Sequence, residues 1–331
     1  MARKTRKRKK INVSNSPTAL DRDGEIIRPA LPNSLYILVY AFACYGLIIL
    51  MQKSYLAIDA LRSQNEMELI NDIIGVSQYI IASIAPALAI AGLFTLVEIL
   101  TTKRLRKATS YTLSFLNLII SFAGFVAFVY IFEQVLSSLG QTPLFEIGAA
   151  SHGYIVVYAI TLAYFFIEDV LLYWVHRYEH TNKALWYLHK IHHAVEDMDS
   201  VSGAFHPLSN IIRWLVTILP LSLLIKIELN DALVIASFLA GVHYAQHTRA
   251  PLHFGWFGKV IGDNRFHFLH HSKDPLYYNK NFAAIFPVID MLFGTYMEPN
   301  KGALPDTGLS HLRGAQSVKE FLSGQLSPRQ Q

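Results

Sequence analysis

The chain has 331 residues, of which 52% are apolar and only 16% charged, with a formal net charge of +5. This composition is too apolar for an ordinary soluble domain of this length and indicates a protein integral to a membrane. The single cysteine, Cys44, excludes an internal disulfide and a thiolate metal site, so any metal must be bound by nitrogen and oxygen.

The N-terminal segment, residues 1–33, is predicted to be a disordered basic arm. Seven of its first ten residues are Lys or Arg, and the chain up to Pro32 shows no apolar periodicity. Such an arm either contacts anionic lipid headgroups or nucleic acid, or sets the topology of a membrane protein. We favour the topological role and expect no nucleic acid partner.

Four apolar runs predict transmembrane helices, at residues 35–51, 75–100, 111–131 and 154–175. About 20 helical residues cross the hydrocarbon core of a bilayer, so residues 34–150 form an N-terminal transmembrane region. The loop before the third run carries Lys103, Arg104, Arg106 and Lys107. The positive-inside rule then places the N-terminus in the cytoplasm and brings the end of the fourth helix, with His176, to the cytoplasmic face.

Two shorter apolar pieces, residues 211–225 and 232–242, follow. They predict a re-entrant helical hairpin bent at Pro220, although two full spans would give the same sidedness. Residues 298–331 are polar and are expected to form a C-terminal tail. The predicted fold is an all-α integral membrane protein with about four transmembrane helices, the re-entrant hairpin and a histidine-rich helical cap on the cytosolic face.

Ten of the fourteen histidines fall into four short clusters. Side chains three and four residues apart lie on one face of a helix, so each cluster directs two or three imidazoles towards one point. These spacings predict a metal site formed by His176, His180, His189, His192, His193, His243, His247, His267, His270 and His271.

The number of histidines bears on the kind of metal site. Imidazole binds zinc, copper, iron and nickel, but ten histidines exceed the needs of one zinc ion and favour a dinuclear centre. A site where membrane helices emerge would act on a lipid. Iron with dioxygen provides an oxidant strong enough to attack the C–H bonds of such a substrate.

Several motifs resemble the fatty acid hydroxylase/sterol desaturase superfamily of membrane di-iron enzymes. The similar segments, within residues 151–297, are His176-Arg177-Tyr178-Glu179-His180, Leu188-His189-Lys190-Ile191-His192-His193, Ala204-Phe205-His206-Pro207, Gln246-His247-Thr248, His267-Phe268-Leu269-His270-His271, Lys280-Asn281-Phe282 and Asp290-Met291-Leu292-Phe293-Gly294-Thr295.

The resemblance implies a catalytic domain at residues 151–297 that holds two iron ions and uses O2 as co-substrate. Electrons would come from a carrier such as cytochrome b5 or ferredoxin with its reductase, and a lipid would be hydroxylated or desaturated. Nine of the ten histidines match ligand positions of the superfamily, whereas His243, spaced as His-x-x-x-His with His247, is similar to the fatty acid 2-hydroxylase branch. No catalytic residue beyond the metal centre is implied. The membrane would be a bacterial inner membrane or the endoplasmic reticulum.

Two other functions remain as alternatives, a membrane zinc hydrolase and, less favoured, a metal transporter. A hydrolase needs a general base beside its ligand motif, and a transporter needs polar groups near the bilayer midplane. Individual roles are also open at this stage. Asp169 either accepts a hydrogen bond from a ligand imidazole or packs elsewhere, His206 is expected to orient a loop, and Asp290 and Asn281 are expected to support the site.

Overall fold

The structure, a computed structural model, describes residues 19–20, 26–27, 88, 91–105, 108–203, 205–227, 241–250, 252–299 and 302–329. The described helices are α1 (Ala91–Thr102), α2 (Ala108–Ser138), α3 (Ala149–His152), α4 (Tyr154–Thr181), α5 (Lys183–His193), α6 (Pro207–Leu224), α7 (241–247), α8 (Asn264–His270), α9 (Pro287–Leu292) and α10 (Val318–Ser323). The strands are β1 (Ala19–Leu20), β2 (Ile26–Ile27), β3 (Phe145–Ile147) and β4 (Ile225–Ile227), and Gly255–Lys259 and Pro275–Tyr277 form 3-10 turns. The described part of the chain is therefore predominantly helical.

Among the described residues, two helices are long and apolar enough to cross a membrane: Ile155–Thr181 within α4 and Pro207–Leu224, which is α6. Large apolar side chains on both helices face outward, including Ile155 (87% exposed) and Leu162 (59%) on α4 and Leu215 (45%) on α6. Exposed apolar surface of this extent is unfavourable in water, because contact between apolar groups and water raises the free energy. The outward faces therefore suit a lipid environment better than the core of a soluble protein.

Helices α4 and α6 run side by side in opposite directions. Strand β4, directly after α6, pairs in parallel with β3, which precedes α4, with Phe145 opposite Ile225. The end of α6 therefore lies beside the start of α4, at the opposite end of α4 from His176. At about 1.5 Å per residue, the 18 residues of α6 extend roughly 27 Å, which fits the two-span alternative better than a shallow re-entrant arm.

The other predicted spans are described to different extents. The run 111–131 lies within α2, and the run 154–175 lies within α4. The run 75–100 is helical over residues 91–100, whereas the run 35–51 and most of the second hairpin arm, 232–242, lie outside the described residues. In the basic arm, which was predicted to be disordered over residues 1–33, β1 and β2 pair antiparallel, with Ala19 opposite Ile27. The other residues of the arm lie outside the described residues.

The second half of α4 packs against the segment from Asn281 to Thr295. Phe165 and Tyr173 of α4 form a buried apolar cluster with Phe282, Phe286 and Ile289. This packing fixes the C-terminal end of α4, which carries His176, against the chain that follows α8.

Asp169 strengthens this packing. Its carboxylate accepts hydrogen bonds from the backbone N–H groups of Ala284, Ile285 and Phe286, at 2.7 to 2.8 Å. Of the two roles considered for Asp169, the structure therefore has the packing role. Among the described residues, its hydrogen bonds are these three backbone contacts, and none goes to a ligand imidazole.

The polar C-terminal segment is not a free tail over residues 302–329, which corrects the expectation from its composition. Phe321 of α10 is buried, and the Leu322 carbonyl accepts from His206 Nε2 at 3.0 Å. Tyr187 donates to the Ser323 carbonyl, and the Lys273 N–H donates to the Asp306 carbonyl. The segment thus covers the chain around α5 and the end of α8.

Candidate metal centre

Nine of the ten predicted histidine ligands lie together in two groups. The five-histidine group consists of His176, His180, His189, His193 and His270, and the four-histidine group of His192, His247, His267 and His271. Within each group, one ring nitrogen from each residue lies within 4.8 Å of the others. All of these side chains are buried except His180, which is partly buried.

Four helices supply the two groups. Helix α4 contributes only to the five-histidine group and α7 only to the four-histidine group, whereas α5 and α8 divide their histidines between both. From α5, His189 and His193 enter the five-histidine group and His192 the other; from α8 and its C-cap, His270 enters the five-histidine group and His267 and His271 the other. The groups are consequently adjacent, and the ring centroids of His193 and His271 are 4.4 Å apart.

Capping side chains set where the histidine-bearing helices begin. The Asn182 side chain accepts from the N–H groups of Ala184 and Leu185, so the chain leaves α4 and starts α5 at this residue. The reversal brings the last turns of α4 against α5. Asp263 caps α8 in the same manner, which starts that helix directly before its three-histidine motif.

Three nitrogens in the five-histidine group form a closed triangle. The Nε2 atoms of His180, His189 and His193 are 3.0, 3.0 and 3.1 Å apart. Each imidazole nitrogen carries either a proton or a lone pair, so three mutual hydrogen bonds cannot all be satisfied. Nitrogens bound to one metal at about 2.1 Å and at right angles would lie about 3.0 Å apart. The triangle therefore has the dimensions of three lone pairs directed at one ion.

Three other rings of the two groups are held by the backbone through Nδ1. Nδ1 donates at 2.8 Å to a carbonyl oxygen in three cases: His176 to Phe282, His270 to Lys280 and His247 to His243. A proton on Nδ1 leaves the Nε2 lone pair free, so these bonds select the tautomer that binds a metal through Nε2.

The grouped histidines outside the predicted spans have lowered pKa values, which keep them neutral at pH 7. Burial lowers the pKa of His270 to about 4. The pKa values of five others lie well below 6.5 because burial disfavours the imidazolium form and neighbouring imidazoles would repel a second positive charge: His192, His193, His247, His267 and His271. His189 behaves in the same way. Neutral imidazoles are the protonation state that binds metal ions.

Several buried nitrogens have no hydrogen-bond partner among the described residues. They include Nε2 of His176, Nε2 of His270 and both ring nitrogens of His192. A buried polar atom without a partner is unfavourable by about 1 to 3 kcal/mol, and a metal ion would satisfy these lone pairs. The unpartnered atoms, the nitrogen triangle and the purely imidazole donor set thus fit two transition-metal ions.

His243 and His206 take other positions. The His243 ring is hydrogen-bonded to the backbone of Gly203, where an added Cβ would overlap that ring, and His243 belongs to neither group. His206 is the N-cap of α6: its Nδ1 accepts from the Leu208 N–H. The structure therefore brings together nine of the ten predicted ligands, and His206 orients the chain entering α6, as predicted.

Asp290 and Asn281 support the site through the backbone. Asp290 accepts from the N–H groups of Phe282 and Ala283 and from the Thr295 hydroxyl. Because the Phe282 carbonyl binds His176 Nδ1, Asp290 helps to place that acceptor. Asn281 bonds the backbone of Phe266 and Met297, which ties α8 to the closing segment.

The sequence interpretation did not assign a role to Arg213. Its side chain is buried and bonded to Glu179, between the histidines of α4. The sequence does indicate a special role for Arg213, since it is the only charged residue in the apolar helix α6. A charged residue inside an apolar span is costly and marks a functional site by default.

Comparisons with known proteins agree with this geometry. Residues 161–295 match the fatty acid hydroxylase family. Ornithine lipid hydroxylase OlsE of Rhizobium tropici is 28% identical over 145 residues, which are 44% of this chain and 44% of the relative. Alkylglycerol monooxygenase of Danio rerio is 28% identical over 164 residues, 46% of this chain and 34% of the relative.

A third relative extends the range of reactions. Delta(7)-sterol 5(6)-desaturase erg3C of Aspergillus fumigatus is 25% identical over 186 residues, 50% of this chain and 57% of the relative. The chain thus spans between 34% and 57% of the length of these three relatives. No solved structure shows significant similarity. Residues 161–295, which contain all nine grouped histidines, thus match the fatty acid hydroxylase family, and the relatives support a likeness to the fatty acid hydroxylase/sterol desaturase superfamily.

Proposed function

We propose that this protein is a membrane-bound di-iron oxidoreductase that uses O2 to hydroxylate or desaturate a lipid. The observation that carries the proposal is the pair of adjacent, buried, all-imidazole groups at the end of a helix long and apolar enough to cross a membrane. The family match and the oxidoreductase relatives support the same reaction class.

The residues of the chain hold and shield the metals. When bound, two iron ions supply the redox chemistry that combines dioxygen, two electrons and an unactivated C–H bond. Backbone carbonyls fix the ligand rings through Nδ1, so little reorganisation is needed on binding. Aromatic rings, including Phe282 beside His176 and Trp186 beside His193, surround the groups and limit the access of water.

The position of the site supports a lipid substrate. His176 and His180 occupy the last two turns of α4, directly after its exposed apolar half, so an acyl chain or ring in the bilayer could reach the groups from the membrane side. The relatives' names describe an ornithine lipid, an alkylglycerol and a sterol as substrates, which supports a lipid without choosing one. We propose cytochrome b5, or a ferredoxin with its reductase, as the electron donor.

The proposed arrangement in the membrane is multi-pass, with the N-terminus and the histidine groups on the cytoplasmic side. It rests on the basic residues of the arm and of the loop after α1. The membrane is a bacterial inner membrane or the endoplasmic reticulum.

The alternative of a zinc hydrolase is less well supported by the site. Such an enzyme needs a carboxylate free to activate water. Glu179, the buried carboxylate beside the five-histidine group, instead accepts hydrogen bonds from Ser209 and Arg213. A transporter is also disfavoured, because the histidines cluster at helix ends and not along the described spans.

Metal analysis and lipid profiling together test the proposal. Full-length protein expressed with ample iron should carry about two iron ions per chain, and cells that make it in air should accumulate an oxygenated or newly unsaturated lipid. His192→Ala should abolish the new lipid, whereas His152→Ala, outside both groups, should not. Zinc content with oxygen-independent turnover would favour the hydrolase, and metal uptake into proteoliposomes the transporter.

A further inference from the structure

A buried ion pair joins α4 to α6 beside the metal groups. Arg213 of α6 binds both carboxylate oxygens of Glu179, its Nε donating at 3.2 Å to Oε1 and its second guanidinium nitrogen at 2.5 Å to Oε2. The Ser209 hydroxyl donates to Oε1 as well. Glu179 is 1% exposed and Arg213 8%. The pair is thus nearly removed from solvent, and Oε1 of Glu179 accepts two hydrogen bonds while Oε2 accepts one.

Stability alone does not explain this pair. Bringing two charges out of water costs free energy that their attraction often fails to recover, so apolar residues of similar size serve a core as well. Arg213 is moreover the one charged residue of an 18-residue apolar helix. The location of the pair, between ligand-bearing helices, indicates what it does.

One end of the pair contacts the five-histidine group. Glu179 Oε2 lies 3.4 Å from Nδ1 of His189, a distance slightly longer than a normal hydrogen bond. His189 Nδ1 has no other partner among the described residues, and its Nε2 is a corner of the nitrogen triangle. Glu179 is therefore the acceptor available to fix the tautomer of His189, as backbone carbonyls do for His176 and His270.

The other end contacts the four-histidine group. The Arg213 guanidinium carbon lies 4.0 Å from the centre of the Phe205 ring, in cation–π range. Phe205 in turn stacks on His192, with ring centroids 4.0 Å apart and planes 20° from parallel. Because His189 and His192 are one helical turn apart on α5, a single ion pair supports one ligand of each group.

We propose that Glu179 and Arg213 are a positioning pair that orients His189 directly and His192 through Phe205, and that their balance of charge sets the metal affinity of the five-histidine group. This inference rests on the proposed function, because it requires metal at the histidine groups. The negative charge of Glu179 makes the Nε2 lone pair of His189 a stronger electron-pair donor to a metal ion. Arg213 weakens that effect because it binds the same carboxylate.

The two members of the pair should therefore affect metal binding with opposite signs. Glu179→Gln removes the negative charge behind His189 and leaves the Arg213 cation near the site, so binding should weaken by about 10- to 100-fold. Arg213→Gln removes the cation and leaves the carboxylate to His189 and Ser209, so binding should be at least as tight as in the native chain. A purely structural salt bridge would predict weaker binding in both variants.

Cobalt(II) binding to the full-length protein in lipid nanodiscs tests this difference. Affinity is measured by competition with a chelator, and the visible d–d bands of the bound Co(II) report on ligand geometry independently of turnover. Thr217→Val is the matched control, since Thr217 is buried one turn further along α6 and bonds only the Arg213 carbonyl through its hydroxyl. It should leave affinity and spectrum unchanged.

A second, less disruptive substitution tests the same prediction if Arg213→Gln does not fold. Ser209→Ala also removes a donor from Glu179 while keeping its charge, so Co(II) affinity should stay equal or rise. For the second contact, Phe205→Leu should alter the d–d bands and affinity of the Co(II) site that includes His192 more than those of the other site, because the centroid of the Phe205 ring lies 4.0 Å from that of His192 and 5.9 Å from that of His189.

The outcomes separate this inference from the proposed function. If the native chain binds no Co(II), both are overturned. If the native chain binds two ions but Glu179→Gln binds them equally well, or both Glu179→Gln and Arg213→Gln weaken binding alike, the positioning pair is overturned and the metal site stands.

Discussion

At the scale of single residues, the two nitrogens of an imidazole ring have different roles in the site. Nδ1 of His176, His247 and His270 is held by a backbone carbonyl, which leaves Nε2 to face the interior of its group. Spacing along the helix brings rings together, but the partner on the outer nitrogen decides which lone pair is available. That partner comes from a distant part of the chain for His176, whose acceptor is 106 residues away.

Loss of one ligand should affect one group more than the other. His193→Ala opens the nitrogen triangle of the five-histidine group, and His267→Ala removes a member of the four-histidine group. We expect each variant to retain about one metal ion per chain, against about two for the native protein, as measured by plasma mass spectrometry. Complete retention of both ions in either variant would contradict the assignment of the groups.

His243 should be dispensable for metal binding, in contrast to its inclusion among the predicted ligands. Its ring is bonded to the Gly203 backbone and belongs to neither group. His243→Ala should therefore keep about two ions per chain, although the His243 carbonyl still has to hold His247 Nδ1. A loss of one ion, with the fold intact by circular dichroism, would make His243 a ligand.

At the scale of elements, α4 combines two environments in one helix. Its first half exposes Ile155 and Leu162, whereas its second half buries Tyr173 and His176. The change occurs near Asp169, whose carboxylate binds three successive backbone N–H groups of the closing segment. A carboxylate is costly inside an apolar run unless it is hydrogen-bonded, and here three backbone N–H groups donate to it.

Asp169→Asn should therefore destabilise the packing of α4 on the closing segment. The amide keeps the shape of the side chain but turns an NH2 group towards backbone donors. We therefore expect the free energy of unfolding to fall by about 2 to 4 kcal/mol. Thermal unfolding in detergent, followed by circular dichroism, measures the change. Glu168→Gln is the neighbouring control and should have a much smaller effect; equal effects would show that the backbone contacts of Asp169 are unimportant.

The C-terminal element should protect the site. Phe321 of α10 is buried beside His206, with ring centroids 6.3 Å apart, and its removal leaves a cavity where the segment is anchored. Phe321→Ala should lower the free energy of unfolding by about 3 kcal/mol and should speed the extraction of bound metal by a chelator. Leu322→Ala, at an exposed neighbouring position, is the control. Unchanged extraction with lowered stability would mean that the segment supports the fold without shielding the metals.

At the scale of the whole molecule, the proposed topology places the histidine groups and β3 on opposite sides of the membrane. Cysteine labelling can test it after Cys44→Ser, because the chain has one cysteine. Gln141→Cys, before β3, should react with an impermeant reagent from outside, and Lys319→Cys, on α10, only after the membrane is opened. Labelling of both from the same side would contradict the arrangement.

Much of the site was accessible from the sequence because its ligands are local repeats. The spacings His176/His180 and His189/His192/His193 need only helical geometry to bring imidazoles together, and their burial follows from the apolar surroundings. The docking of residues 302–329 was not accessible, since a polar composition describes what the segment exposes and not the few residues, such as Phe321, that anchor it. The charge at Arg213 was visible, but its partner on α4 was not.

The sequence by itself determined that the composition suits a membrane protein, that the histidines have the spacing of metal ligands, and which superfamily the motifs resemble. These features were accessible because composition and short-range spacing are properties of local segments. Only the tertiary structure decided how α5 and α8 divide their histidines between two groups, that His243 lies outside both, and that Glu179 meets Arg213. These depend on the relative orientation of helices far apart in the chain, which packing sets and local periodicity does not.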